Sequence, residues 1–141
     1  MSNEGLNRYG KYAPLILRLA LGVVFLAHGL SKFGDLNGIS QMFAGMGMPA
    51  AGLMAAMVAA IEAIGGAALI LGIGTRVAAV FLSAVMLVAI VMVKSKIGLI
   101  APMGAPLPGA ELDLALLAGA VVLILQGGGP LSLDKLVLKR A

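Results

Sequence analysis

The sequence predicts an all-α integral membrane protein, a four-helix bundle with a short interfacial helix between its first two spans. Of the 141 residues, 61% are apolar and only 11% are charged, and the mean hydropathy is +1.09. An ordinary soluble domain is about 45–50% apolar. The apolar residues fall in stretches of about twenty, the length that crosses a bilayer as a helix. Segments rich in glycine and proline separate these stretches.

The predicted spans cover about 14–33, 50–73, 77–97 and 110–126, within a single domain over residues 1–141. The first apolar run is longer than the roughly 7–15 residues of a signal-peptide core, so we expect it to remain as an uncleaved span. The third is the plainest span, because no charge interrupts it before Lys94. The fourth is the shortest.

The two longer connections have different patterns. Between spans one and two, Leu36, Ile39, Phe43 and Met46 recur at helical spacing. This spacing favours a short amphipathic helix lying in the membrane interface, with an irregular loop as the alternative. Between spans three and four, GLIAPMGAPLPG contains three prolines and three glycines. That composition predicts a loop, which we expect to fold over the mouth of the bundle.

The basic residues are distributed unevenly between the two predicted ends of the bundle. Cytoplasmic loops of membrane proteins are enriched in Lys and Arg, so both termini are expected in the cytoplasm. The basic residues never form a long run, so nucleic-acid binding is not expected. The end with both termini holds Arg8, Lys11, Arg76, Lys135, Lys139 and Arg140, with Arg18 just inside it, and the other end holds Lys32, Lys94 and Lys96.

Several kinds of chemistry are excluded by composition. The chain has no cysteine, so it has no disulfide, thiolate metal site or cysteine nucleophile. A single histidine among basic groups is a poor set of metal ligands, and no metal is expected. The sequence has no flavin, haem or nicotinamide signature and designates no catalytic residue.

Ionisable side chains within the first two spans are the candidate functional residues. Arg18, His28 and Lys32 lie within an arc of about 80° on span one, beside glycines that let a neighbouring backbone approach. We expect all three basic groups to face protein and not lipid. Glu62 lies near the middle of span two, on a face of small residues. A mid-span charge costs about 2.5–3.5 kcal/mol on insertion scales. We therefore expect Glu62 to have a partner, with Arg18 preferred and His28 as the second choice.

The same charges also have a structural interpretation. A buried ion pair can serve only to fix which helices pack together, and a lone lysine near a span end can extend to the headgroups. In span four, Glu111 and Asp113 lie about 200° apart around the helix, so only one can face the interior. Acidic residues in a first helical turn also suit the helix dipole. The functional interpretation depends on all these groups meeting in one polar chamber.

Five segments covering nearly the whole chain carry a family resemblance: LRLALGVVFLAHGLSKFG, GMGMPA, AAIEAIGGAALILGIGTRVAA, AELDLALLAGAVVLIL and GGGPLSLDKLV. Their combination of an early arginine, His-Gly with a following lysine, and Glu-x-x-Gly-Gly before Gly-x-x-Thr-Arg is specific. With these segments the chain resembles the DoxX family of small four-span membrane proteins. The resemblance implies polar family positions at Arg18, His28, Lys32, Glu62, Arg76 and Glu111.

The resemblance also implies a redox neighbourhood in a bacterial-type inner membrane. The family is similar to the membrane subunit of thiosulfate:quinone oxidoreductase, and other members are linked to oxidative or quinone stress. More distant relatives act as membrane chaperones. This chain departs from the family at the outer end. Lys94 and Lys96 stand where members often have a histidine, and the next loop is short and proline-rich.

The leading hypothesis is a membrane subunit of a redox system that binds a quinone or a small redox substrate. Its ligands would be Arg18, His28, Lys32, Glu62 and Glu111, with menaquinone or ubiquinone as the cofactor and a proton relayed by a carboxylate. Electrons would come from a partner protein or a reduced substrate. The alternatives are a non-enzymatic scaffold or chaperone for a redox partner, and a transporter of protons or small anions. The small-residue faces make a homodimer a reasonable expectation.

Overall fold

Helices account for most of the computed structural model, which describes residues 3–137 and residue 139. The described residues contain no strand, which confirms the all-α prediction. In chain order the helices are α1 (Asn3–Gly10), α2 (Ala13–Gly34), α3 (Leu36–Gly45), α4 (Ala51–Leu71), α5 (Thr75–Val88), α6 (Glu111–Gln126) and α7 (Leu133–Leu136). Helix α5 continues into one π-helical turn (Ala89–Val93) and a short 3-10 turn (Lys94–Lys96).

Three helical segments in the described part of the chain are long and apolar enough to cross a membrane. They are Arg8–Gly34, Ala51–Leu71 and Thr75–Lys96, and they correspond to the first three predicted spans. Helix α6 takes the place of the fourth. At 16 residues it is shorter than the roughly 17–25 residues of a typical spanning helix.

The helix ends follow from local sequence. Pro14 lies in the first turn of α2, where a backbone N–H would have no helical partner in any case. Asp35 separates α2 from α3, and its side chain accepts a hydrogen bond of 3.0 Å from the Gly38 N–H, a typical N-cap contact. Gly72 ends α4 with a φ of 70°, a left-handed conformation that glycine adopts without strain.

Helices α2 and α4 form the closest packing in the molecule through small residues. A Cβ atom added at Gly29 would overlap the backbone of Ala63, and one added at Gly66 would overlap the backbone of Leu26. Small residues allow this approach because no side chain separates the two backbones. The predicted role of the glycines on span one is confirmed.

The four longest helices close a ring of contacts. Helix α4 contacts α2 and α5, and α6 contacts α5 and α2. The contact between α2 and α6 is much less extensive than the contact between α2 and α4. The shared core is almost entirely aliphatic apart from Phe25, and its buried members include Leu21, Leu69, Leu82 and Leu123.

One end of the ring is covered by α3 and by the loop over 97–110. Leu36, Ile39, Phe43 and Met46 pack in a second apolar cluster with Ala55 and Val93, so the predicted helix is present and the irregular-loop alternative is wrong. The 97–110 loop is closed by backbone hydrogen bonds from Ala110 to Gly98 and from Glu111 to Leu99. As expected, it folds over the bundle, with Leu107 against the same cluster.

The opposite end brings the start of α2 together with the segment after α6. A Cβ atom at Gly129 would lie 3.1 Å from Pro14, so the two ends of the described chain share one end of the molecule. Asp134 accepts hydrogen bonds from the N–H groups of Gly74 at 2.8 Å and Thr75 at 3.1 Å, at the start of α5. Arg140, predicted to add to the positive charge at this end, lies outside the described residues.

Candidate functional site

A cavity of about 250 Å³ lies among α2, α4, α5 and α6, beneath α3 and the 97–110 loop. Its walls are mainly apolar and include Phe25, Met54, Met86, Val93 and Leu116. The titratable side chains that line it are His28, Lys32, Glu62, Lys94 and Asp113. An apolar hollow with a few converging polar groups is typical of a site for a small organic molecule.

Lys32 and Glu62 form an ion pair in the wall between α2 and α4. The distance from Lys32 Nζ to Glu62 Oε2 is 2.5 Å, and the two side chains are 20% and 4% exposed. The pair follows from the close packing of α2 on α4, because Lys32 lies one turn beyond Gly29 and Glu62 is next to Ala63. Lys32 is therefore the partner that compensates the charge of Glu62. Neither Arg18 nor His28 fills this place, and the predicted Arg18–Glu62 pair is wrong.

Arg18 lies at the other end of the molecule, about 21 Å from Lys32 by helix rise. Its side chain is buried, at 2% exposure, and among the residues that the structure describes its guanidinium donates only to backbone carbonyls. Nε donates to Gly128 at 3.0 Å, and Nη2 donates to Leu131 at 2.8 Å. Nη1 donates to Leu69 at 2.9 Å and to Ile70 at 2.5 Å. We call this arrangement the Arg18 clamp.

The Arg18 clamp has a clear physical reason. The last carbonyls of a helix have no intrahelical partner and carry the negative end of the helix dipole, so the end of α4 attracts the guanidinium. Arg18 is therefore absent from the cavity wall and does not form the floor of a chamber with Glu62. The prediction of a chamber lined by Arg18 is wrong. The cavity lies at the opposite end of the molecule and is lined by Lys32 and Glu62.

A second ion pair lies across the cavity from the first. Lys94 Nζ is 3.8 Å from Asp113 Oδ2 and donates to the Pro108 carbonyl at 2.8 Å. Glu111 is exposed at the start of α6 and does not line the cavity. Of the two acidic residues that the sequence left open, Asp113 takes the inward position. Glu111, which the prediction included among the ligands, lies outside.

His28 lies at the edge of the cavity rather than within it. Its side chain lines the cavity and is also exposed on the outer surface of α2. The prediction that all three basic groups of span one face protein is therefore wrong for His28. The imidazole is placed to meet a molecule that reaches the cavity from outside.

Sequence reasoning missed Phe43 and Met48, which bring α3 and the next turn into the cavity wall, because periodicity does not say what a short helix packs against. It also missed Asp134, whose only signal was its place in the polar, glycine-rich tail. Arg76 is exposed and makes a long hydrogen bond of 3.4 Å to the Leu125 carbonyl. The polar family positions thus divide between the two ends of the molecule.

Comparison with known proteins places these residues in a family. The model of the DoxX family matches residues 13–95. This chain belongs to the DoxX family. The matched segment contains the donor of the Arg18 clamp, the Lys32–Glu62 pair and Lys94, whereas Asp113 lies beyond it. Together with its apolar helices, membership of the DoxX family identifies the chain as a membrane protein.

Two curated relatives of this DoxX protein extend the match over nearly the whole chain. "Putative oxidoreductase CatD" of Bacillus subtilis is 38% identical over 135 residues, which cover 95% of this chain and 93% of that protein. "Uncharacterized membrane protein Rv3486" of Mycobacterium tuberculosis is 35% identical over 144 residues, which cover 96% of this chain and 88% of that protein. No solved structure gives a significant match to the chain.

Proposed function

We propose that this DoxX protein is an integral membrane subunit of a redox system that binds the headgroup of a quinone in the cavity beside Lys32 and Glu62. The observation that carries the proposal is a nearly buried ion pair in the wall of an otherwise apolar cavity. The name of the B. subtilis relative, an oxidoreductase, supports a redox role over transport.

The chemistry of a quinone headgroup suits this cavity. The ring is flat and apolar, and it matches walls made of Phe25, Met54 and Leu116. Its carbonyl oxygens need hydrogen-bond donors. The Lys32 ammonium has three N–H donors, so a carbonyl can bind it while Glu62 keeps one. The Lys94 ammonium offers a second donor on another wall. The protein supplies binding and donors here, and electrons come from a partner protein or a reduced substrate.

The membrane topology that accompanies this function has four spans. Helix α6 is about 24 Å long by helix rise, and the apolar residues of the 97–110 loop extend its hydrophobic length. We propose that the chain lies in a bacterial inner membrane with both termini in the cytoplasm. Helix α3 then lies at the outer interface, and the cavity lies at the depth of the outer leaflet. The positive residues at the Arg18 end support this orientation.

Quinone binding is tested with the purified protein and three matched variants. Lipid extracts of the wild-type protein are expected to contain menaquinone or ubiquinone, and titration with either should show saturable binding. Lys32→Gln should weaken binding about tenfold or more, because a hydrogen bond from a charged donor contributes about 1.5–3 kcal/mol. Glu62→Gln should also weaken binding, because it removes the ion pair that holds the Lys32 ammonium at the cavity wall. Lys96→Gln is the control, since Lys96 is exposed and does not line the cavity.

Two results would contradict the proposal. One is wild-type protein whose extracts are free of quinone and which binds none on titration. The other concerns the joint replacement of Lys32 and Glu62 by methionine, which removes both charges at similar volume. If that variant folds and binds quinone as tightly as the wild type, the ion pair serves packing alone and the scaffold alternative gains support.

A further inference from the structure

We propose that the ligand enters this cavity sideways from the membrane, through an opening between α2 and α6 bordered by His28 and Leu112, and that it carries an apolar tail which stays in that opening. This inference rests on the proposed function. It specifies the substrate class, a lipid-dissolved quinone with a tail rather than a small water-soluble molecule.

The opening follows from the way α2 and α6 pack. Leu17 and Leu21 of α2 lie against Gly119 of α6, and the helices run in opposite directions, because the start of α2 meets the segment after α6. His28 lies two turns after Leu21 along α2, and Leu112 lies two turns before Gly119 along α6. Because the two helices are antiparallel, both steps lead towards the same end of the molecule. Each step is about 10 Å of helix rise. His28 and Leu112 are therefore at the same level on neighbouring helices.

Both residues combine two properties. Each lines the cavity, and each is also exposed at the surface, Leu112 to 45%. A residue that touches both the interior and the outside marks the rim of an opening. Around His28 the outer surface of α2 is apolar apart from Ser31 and the partly exposed Lys32, so the opening faces lipid rather than water.

The other walls of the cavity are closed more completely. The end towards the outer interface is covered by Phe43 and Met48, which are buried, and by Leu107. Pro108 is exposed, but Lys94 holds its carbonyl in place. Between α4 and α5 only Val88 is exposed, at 38%, while the lining residues of α4 that face it are at least half-buried. The side between α2 and α6 is thus the most open.

The cavity volume separates head from tail. At about 250 Å³ it falls just below the range of about 300–1,000 Å³ that encloses whole drug-sized ligands. It can hold a quinone ring but not a long isoprenoid chain. With the ring beside Lys32 and Glu62, a tail leaves between the His28 imidazole and Leu112 and continues along the lipid-facing surface. The only histidine of the chain is exposed because it lies at the rim of this opening.

The test compares a quinone without a tail and one with a tail, on variants that narrow each candidate opening. The probes are menadione and a short-chain menaquinone, titrated against protein in nanodiscs. Wild-type protein should bind both. Leu112→Trp should weaken menaquinone binding about tenfold or more while changing menadione binding less than about twofold. Leu114→Trp is the matched control, because Leu114 is exposed on the same helix and does not line this cavity.

Each other outcome has a definite meaning. Three results would overturn the opening between α2 and α6 and leave the proposed function standing. Leu112→Trp could weaken the binding of both quinones equally, it could change the binding of neither, or Val88→Trp could be the variant that weakens menaquinone binding alone. Wild-type protein that binds neither probe would overturn both. A photo-reactive phenylalanine at position 112 gives a second measurement. It should cross-link the menaquinone tail, and the same group at position 114 should not; equal cross-linking would also overturn the proposal.

Discussion

Arg18 is buried in an apolar protein, and no carboxylate of the described residues is bonded to its guanidinium. Four backbone carbonyls accept hydrogen bonds from it, two at the end of α4 and two from the segment after α6. Hydrogen bonds to a charged group contribute about 1.5–3 kcal/mol each, so the clamp compensates much of the cost of burying the charge. Its role is to join three parts of the chain at one point.

Replacement of Arg18 should therefore destabilise the protein without touching the cavity. Arg18→Met removes all four hydrogen bonds and leaves the carbonyl of the buried Gly128 without its donor, for an expected loss of about 3 kcal/mol or more. Arg18→Lys should recover part of this loss, because an ammonium keeps the charge but lacks the planar fork. The measurement is thermal unfolding in detergent, followed by helical circular dichroism.

Arg76 provides the control for that prediction. It is an exposed arginine at the same end of the molecule with one long hydrogen bond, so Arg76→Met should change stability by about 0.5 kcal/mol or less. Similar melting shifts for Arg18→Met and Arg76→Met would show that the clamp contributes little.

Arg18 also shows why the candidate site was only partly predictable. The sequence located the ionisable residues and indicated that Glu62 needs a partner, and both inferences hold. It preferred Arg18 and placed His28 second, whereas the partner is Lys32, because backbone carbonyls at a helix end compete for a cation and leave no mark in the side-chain pattern. The choice between Glu111 and Asp113 likewise depended on the position of Lys94, which is set by the helix before it.

The π-helical turn at Ala89–Val93 is an element that sequence patterns did not indicate. A π turn accommodates one extra residue within an α-helix and is frequent at functional sites. Here it borders the cavity with Ala89 and Val93 and directly precedes Lys94. Because the π turn contains one residue more than an α-helical turn, the residues after it keep the faces they would have in a continuous α-helix without the extra residue. Lys94 therefore points at Asp113, while the part of α5 before the turn packs as a regular α-helix.

Deletion of one residue should be tolerated in this turn and not in the regular part of α5. Removing the exposed Val91 converts the π turn to an α turn and leaves the later residues on their present faces. Removing the exposed Val80 rotates everything after it by about 100°. We expect the first deletion to yield folded, monodisperse protein by gel filtration in detergent, and the second to aggregate or unfold. If both deletion variants fold, or if both aggregate, the π turn does not accommodate the loss of a residue as we expect.

The long helices were easier to predict than this turn because their signal extends over many residues. Each of the first three spans is a run of about twenty apolar residues, and the observed ends agree with it to within a few positions. The spacing of Leu36, Ile39 and Phe43 likewise predicted α3. A single-residue change in helical hydrogen bonding alters no such pattern, so it becomes visible only in the structure.

At the scale of the whole molecule, the two ends of the ring differ in charge and in covering. One end holds the Arg18 clamp and the basic residues near both termini, and the other holds the cavity, α3 and the 97–110 loop. This asymmetry leads to a definite prediction for orientation. With four spans, the 97–110 loop lies outside the cell membrane and both termini lie inside.

The absence of cysteine makes this prediction simple to test, because each single-cysteine variant carries its only thiol at the chosen place. In intact spheroplasts, a membrane-impermeant maleimide should label Met103→Cys, in the fully exposed part of the loop. Lys11→Cys and Lys135→Cys should react only after permeabilisation. Labelling of Lys11→Cys and Lys135→Cys from opposite sides would require an odd number of spans and would contradict the topology.

The Arg18 clamp also has a consequence for biosynthesis. Arg18 enters the bilayer with α2, but the carbonyls of Gly128 and Leu131 lie 110 and 113 residues further along the chain and are translated much later. Until they emerge, the nascent protein holds a cation with half of its acceptors missing. The bundle is therefore locked only after the segment that follows α6 has been translated, and a chain terminated before Gly128 carries an uncompensated cation that distinguishes it from a chain with this segment.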